Sequence, residues 1–155
     1  MRFLQLFFFL IICSNISIAL IDQSVTNISS PNDITLLRKN IATRVENLEP
    51  YQVGRVFTTD VKRVYCFNDL SISNSSKNIK IKHEWIKDNT PIYSIYLTVK
   101  GPRFRTYSYK TIRDSKEYVG SWKVNIYKVL EADNGNKKES STLIDTVKFK
   151  IVEKK

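Results

Sequence analysis

From residue 61 onward, apolar and polar positions alternate in short runs. Ile79, Ile81, His83 and Trp85 lie opposite Lys80, Lys82 and Glu84, and Tyr93, Ile95, Leu97 and Val99 lie opposite Ser94, Tyr96 and Thr98. Trp122, Val124 and Ile126 alternate with Lys123 and Asn125, and Val147, Phe149 and Ile151 with Lys148 and Lys150. A period of two is the side-chain repeat of a strand with one buried face. Turn formers separate the runs: Ser73-Asn74-Ser75-Ser76, Asp88-Asn89-Thr90-Pro91, Gly101-Pro102 and Asp133-Asn134-Gly135-Asn136. About seven short strands so punctuated predict an all-β fold, an antiparallel immunoglobulin-like β-sandwich, with Trp85, Leu97, Trp122 and Phe149 in its core.

The N-terminal third reads differently. Met1-Arg2 is followed by the apolar run Phe3–Ile12 and then by Ser14-Asn15-Ile16-Ser17-Ile18-Ala19, the order of a secretory signal. Ser17 and Ala19 are the small residues a signal peptidase requires. Two other fates are open: lipidation at Cys13, although Ile12 is larger than the small residue that normally precedes such a cysteine, and an uncleaved anchor, although the run is shorter than the ~20 residues of a membrane span. The expected organisation is a signal peptide at 1–19, a polar linker at 20–36 and a sandwich domain at 37–155, exported to the periplasm or the extracellular space. Ile34, Leu37, Ile41, Val45 and Leu48 recur at helical spacing, yet Asn40–Val45 reads equally well as a strand ended by Glu49-Pro50.

Composition adds constraints. With 155 residues the chain has room for one domain. Its net charge is +10, of which the leader carries only Arg2; such a charge attracts nucleic acid, anionic lipid or acidic polysaccharide. Export argues against nucleic acid. Of the two cysteines, Cys13 falls in the leader and Cys66 lies in the apolar string Val64–Phe67, so the mature domain holds one thiol and no internal disulfide.

No catalytic constellation assembles from these residues. The single histidine, His83, sits on an apolar strand face between Ile81 and Trp85 and reads as a core residue with a satisfied hydrogen bond. There is no His/Cys cluster for a metal and no glycine-rich phosphate loop among four glycines, so no cofactor is expected. Binding is better supported. Alternate residues Arg103, Arg105, Tyr107 and Tyr109 project to one side of a strand, with Lys110 beside them. Between Lys100 and Lys128 there are eight basic residues against Asp114 and Glu117. Guanidinium groups beside aromatic rings suit phosphates, carboxylates and stacked sugars.

Several strings occur in the order of a known family. Val45-Glu46-Asn47-Leu48-Glu49-Pro50 is similar to V-x-N-R-E-P, and Val64–Phe67 resembles an apolar strand ending at Phe. His83-Glu84-Trp85 matches H-x-W, Arg103–Lys110 resembles R-W-R-x-W-S-S-K, and Gly120–Val124 matches G-x-W-x-V. Over roughly residues 41–153 the chain resembles the bacterial domain of unknown function 2914. Leu48 stands for Arg, Phe104 and Tyr107 for Trp, and Tyr109 for Ser; the aromatic changes preserve shape. The resemblance implies that Ile41–Val45 is the first strand and brings no known activity. The expectation is therefore a noncatalytic exported domain that binds an anionic envelope polymer or a protein partner through Arg103, Arg105, Tyr107, Tyr109 and Lys110, or else a purely structural envelope module. Protein recovered from the envelope should begin at Leu20 when its intact mass is measured; a lipid-bearing N-terminus at Cys13 would overturn that expectation.

Overall fold

The computed structural model describes residues 34–73, 79–113, 115–130 and 140–154. The leader, most of the linker and the turns at Asn74–Ser76 and Asp133–Asn136 lie outside the described residues. Nine strands form: β1 (Ile34–Glu46), β2 (Glu49–Val53), β3 (Val56–Thr58), β4 (Arg63–Ile72), β5 (Ile79–Lys87), β6 (Thr90–Thr98), β7 (Arg103–Thr111), β8 (Gly120–Leu130) and β9 (Ser140–Val152). They make two sheets, ordered β2-β1-β4-β7 and β3-β9-β8-β5-β6. Among the described residues there is no α-helix, only a 3-10 turn at Lys116–Tyr118.

The sandwich is the expected fold, with refinements. The two strands beyond seven include the short edge elements β2 and β3, and β3 pairs with β9 in parallel while every other pairing is antiparallel. β1 begins at Ile34, inside the segment read as linker, and is continuous to Glu46. Its helical-looking spacing comes from a bulge. The register with β4 shifts between Leu36 and Arg38, so Ile34 and Ile41 both face the core although they are seven residues apart. The extra residue, Leu37, is exposed, and Leu48 lies exposed in the β1–β2 turn. An inserted residue flips the alternation, which is how a strand came to mimic a helix. β4 also runs past Phe67 to Ile72, further than the resemblance implied.

The core fills the space between the sheets. Ile41, Val64, Cys66 and Leu70 come from one side; Ile81, Trp85, Trp122, Val124, Ile126, Val147 and Phe149 come from the other. The Phe149 ring stacks on Trp122 at 6.0 Å and meets Trp85 edge-on at 6.1 Å, offset geometries that aromatic pairs favour. Leu97, expected in the core, is only half-buried, and Ile95 is exposed; both lie on edge strand β6, which has a neighbour on one side only. Burial pushes the Cys66 thiol up to about 12, so at neutral pH it remains protonated and unreactive.

One corner explains the G-x-W-x-V string. Asp88 and Asn89 turn β5 into β6 with φ of 46° and 65°, the left-handed pair of a tight hairpin. The Asp88 carboxylate accepts from the Ser121 amide at 2.9 Å, and its own amide donates to the Ser121 carbonyl at 2.8 Å. That clasp lays Asp88 over Gly120, where a Cβ would come within 2.6 Å of the carboxylate, at a φ of +149°. Only glycine fits there. Two residues on, Trp122 enters the core and donates its indole N–H to the Tyr118 carbonyl at 2.9 Å. Trp85→Ala should lower unfolding free energy by ~3–5 kcal/mol, whereas Leu143→Ala, on an exposed side chain, should stay within ~0.5 kcal/mol; urea titrations of both variants check the assignment of core and surface.

Candidate functional site

The register of β1, β4 and β7 builds the outer face of the four-stranded sheet row by row. Arg38, Asp69 and Arg105 are cross-strand neighbours, then Asn40, Phe67 and Tyr107, then Ala42, Tyr65 and Tyr109. Arg103, Arg105, Tyr107 and Tyr109 thus share one side, as their spacing predicted. Lys110 does not join them. It projects to the opposite side of β7, where its ammonium lies 5.4 Å from the centre of the Tyr93 ring.

Asp69 organises the first row. Its side chain is 2% exposed and receives both arginines of β7. Arg103 reaches it through Nε at 3.2 Å and Nη2 at 2.9 Å, and Arg105 through Nε at 3.3 Å. Arg38 stands 3.7 Å away. Glu49, from the start of β2, takes the remaining reach of Arg38 at 2.9 Å and of Arg105 at 2.5 Å. The Arg103 hydrogen bond, more than any other influence, holds the Asp69 carboxyl below the usual carboxylate range. A buried carboxylate needs such partners, and three arginines against two acids leave a small positive excess. Arg103 is the most open of the three, with its side chain 63% exposed. Arg38 also covers Phe67, its guanidinium 5.1 Å from the ring centre, which is why a phenylalanine on the outer face is fully buried.

The other rows are aromatic. Tyr65 meets Tyr107 at 5.7 Å and Tyr109 at 5.5 Å, and Arg63 lies 4.8 Å over the Tyr109 ring. Tyr107 and Tyr109 remain 37% and 45% exposed. Beyond Tyr65 the face runs into a cleft of about 760 Å³ whose walls include Thr43, Gln52, Lys62, Arg63 and Thr111. Arg44 over Tyr51, at 4.9 Å, adds a further cation–ring pair on the same sheet. Sequence reasoning missed Arg63, Tyr65, Asp69 and Glu49. Their alternation with core residues in β4, and the Glu-Pro that opens β2, were the signals available.

On the inner side of β7 a chain of hydrogen bonds crosses between the sheets. The Trp85 indole N–H donates to Ser108 Oγ at 2.9 Å, and Ser108 lies 2.7 Å from His83 Nδ1. His83 Nε2 lies 2.5 Å from Asn68 Oδ1, and Asn68 Nδ2 donates to the Phe67 carbonyl at 2.8 Å. The direction of the chain fixes the tautomer. Asn68 spends its donor on Phe67, so its oxygen accepts from His83 Nε2–H, and Nδ1 then accepts from the Ser108 hydroxyl. Serine, histidine and asparagine in a line resemble a hydrolytic triad, but His83 and Asn68 are fully buried and Ser108 is 3% exposed. No substrate reaches the hydroxyl in this conformation, and the chain satisfies core polar groups. Burial lowers the histidine to about 3, so it is neutral when folded.

His83 is the chain's single histidine, and its shift should be visible in stability. The unfolded state takes up a proton below the ordinary value of ~6.5, while the folded state does not until about 3. Stability is therefore complete above ~6.5 and should fall by ~1.4 kcal/mol for each pH unit below it. Urea titrations between pH 7 and 5, above the carboxylate range, should show that slope in the native chain and a flatter one in His83→Gln. An equal slope in both would mean that the buried-histidine account is wrong.

No curated protein matches the chain. Among solved structures it is similar to one titled the crystal structure of the C-terminal domain of wzt, with a TM-score of 0.55 and 7% identity, over 79% of this chain and 75% of that one; at that identity the likeness concerns the fold alone. The motifs His83-Glu84-Trp85, Arg103–Lys110 and Gly120–Val124 all fall in the segment 78–151, which matches the model of the family described as protein of unknown function (DUF2914), the same family that the motifs resemble.

Proposed function

We propose that the chain is a noncatalytic, exported binding module of the cell envelope, and that the outer face of its four-stranded sheet takes an anionic cell-surface polymer. The observation that carries this reading is the pair of part-exposed rings, Tyr107 and Tyr109, packed on Tyr65 beside Arg63 and continuous with a cleft. Rings packed against one another on a rigid sheet, one pair edge to face and one tilted, lose little freedom on binding and present apolar area with polar rims. The guanidinium groups of Arg63 and Arg103 supply the charge complement at either end. Arg105 is more enclosed and is held by Asp69 and Glu49, so its part is to fix β7 rather than to meet the ligand. The leader-like segment supports export, and the enclosure of Ser108 and His83 supports a noncatalytic role.

Tyr107→Ala with Tyr109→Ala should weaken retention on immobilised envelope polysaccharide by about tenfold or more, as loss of aromatic anchors does, while circular dichroism remains that of the native chain. Arg103→Gln leaves Asp69 paired with Arg105 and should weaken retention less, with a shallower dependence on salt. A doubly substituted chain that stays folded and is retained like the native one would reject this face and favour the purely structural reading.

A further inference from the structure

The outer face of the five-stranded sheet carries a second, independent feature. Lys123 on β8 and Lys148 on β9 are direct cross-strand partners, and Lys150 stands in the next outward row opposite Ser121. Like charges placed directly opposite each other destabilise a sheet. Arg55, just before β3, is pinned beside them: its Nη1 donates to the Lys148 carbonyl at 3.1 Å, and its carbonyl accepts from the Lys150 amide at 2.8 Å. Those bonds fix the guanidinium without neutralising it.

The four cations line one cleft of about 790 Å³. Several basic side chains elsewhere meet acids, as Arg38, Arg103 and Arg105 do at Asp69 and Glu49, Lys116 at Glu153 and Lys154 at Asp60. Here the ammonium of Lys123 meets only the neutral Asn89 Oδ1, at 3.3 Å, and none of the four cations has a carboxylate partner among the described residues. The one acid in the wall, Asp88, is already engaged by Lys87 at 2.7 Å and by the Ser121 amide at 2.9 Å; those bonds, the one from Lys87 foremost, lower its pKa. Trp122 and Phe149, whose side chains are buried in the core, complete the lining between the lysine rows.

We infer that this cleft is an anion site for a multiply charged phosphate group, such as a pyrophosphate or a phosphomonoester. Arg55 supplies the planar fork that matches phosphate oxygens, and the three lysines supply point charges around it. An anion seated between Lys123 and Lys148 also relieves their mutual repulsion. The cleft's volume lies in the range of sites that hold a whole small molecule, so the phosphate group comes either from a soluble metabolite or from a lipid headgroup.

The test uses the full chain and inorganic pyrophosphate, read by calorimetry and thermal melting at low salt. Pyrophosphate should bind and raise the melting temperature, and Lys148→Glu with Lys150→Glu should weaken binding by about tenfold or more. Lys148→Glu alone places a carboxylate opposite Lys123, so without anion it should melt no lower than the native chain. Arg103→Gln, on the other face, should bind pyrophosphate as the native chain does. Vesicles of phosphatidylcholine with and without phosphatidic acid distinguish the source: lysine-dependent flotation with the acidic vesicles points to a headgroup, and pyrophosphate binding without flotation points to a soluble ligand. No melting shift with pyrophosphate, or an equal shift in the doubly reversed variant, would overturn the site.

Discussion

The hydrogen-bonded chain from Trp85 through Ser108 and His83 to Asn68 sets the relation between the two sheets. β5 contributes the tryptophan and the histidine; β7 and β4 contribute the serine and the asparagine. Apolar packing alone would tolerate a sheet shifted by a residue pair with modest loss. This chain does not, because a shift would leave a neutral imidazole, an indole N–H and a carboxamide buried without partners, at ~1–3 kcal/mol each. The H-x-W string is one half of that device, and the serine of the arginine-rich string is the other.

Fixing Ser108 inward fixes everything else on β7. Side chains alternate, so Arg103, Arg105, Tyr107 and Tyr109 must all turn outward once Thr106 and Ser108 are buried. Asp69, one residue after Asn68, is turned outward for the same reason and arrives beside Arg103 and Arg105 by register. A core constraint thus delivers the buried carboxylate to the arginines. The Glu49 of the Asn-Leu-Glu-Pro turn completes the group from the far side of β1. Most of the positive charge of β7 is consumed by this arrangement, and what the face offers a ligand is chiefly ring surface edged by Arg63 and Arg103.

Alternation made the sheets, the inward set of β5, β8 and β9, and the sidedness of Arg103–Tyr109 legible in the sequence. It failed where the chain departs from strict alternation. The bulge after Leu36 gave β1 a false helical spacing, and β3 is three residues with no pattern to read. Charge was legible as a sum and not as a distribution. Nothing in the string Arg103–Lys110 indicates that Asp69 and Glu49, 34 and 56 residues away from their partners Arg103 and Arg105, neutralise it. Equally, Lys123, Lys148 and Lys150 each looked like an ordinary solvent-facing lysine. Their convergence depends on the β8–β9 register and on Arg55 entering from β3, both long-range facts.

The two basic surfaces cannot act as one. Tyr107 and Tyr109 lie on β7, at one edge of the four-stranded sheet, stacked over edge strand β6 through the Tyr93 hydroxyl bond to the Tyr109 carbonyl at 2.5 Å. The lysine cleft lies on the outer side of the other sheet, toward its opposite edge at β3. Stacked sheets stand ~10 Å apart, so the surfaces face away from each other on diagonally opposed corners. A single compact ligand reaches only one of them. They also differ in kind. Ring stacking beside Arg103, which is already paired to Asp69, depends less on ionic strength, whereas clustered lysines without carboxylate partners are screened within a Debye length of ~8–10 Å. Salt therefore separates them: a ligand held by the tyrosine face survives a rise in ionic strength that empties the cleft, and the order in which two ligands are lost identifies which corner each one occupied.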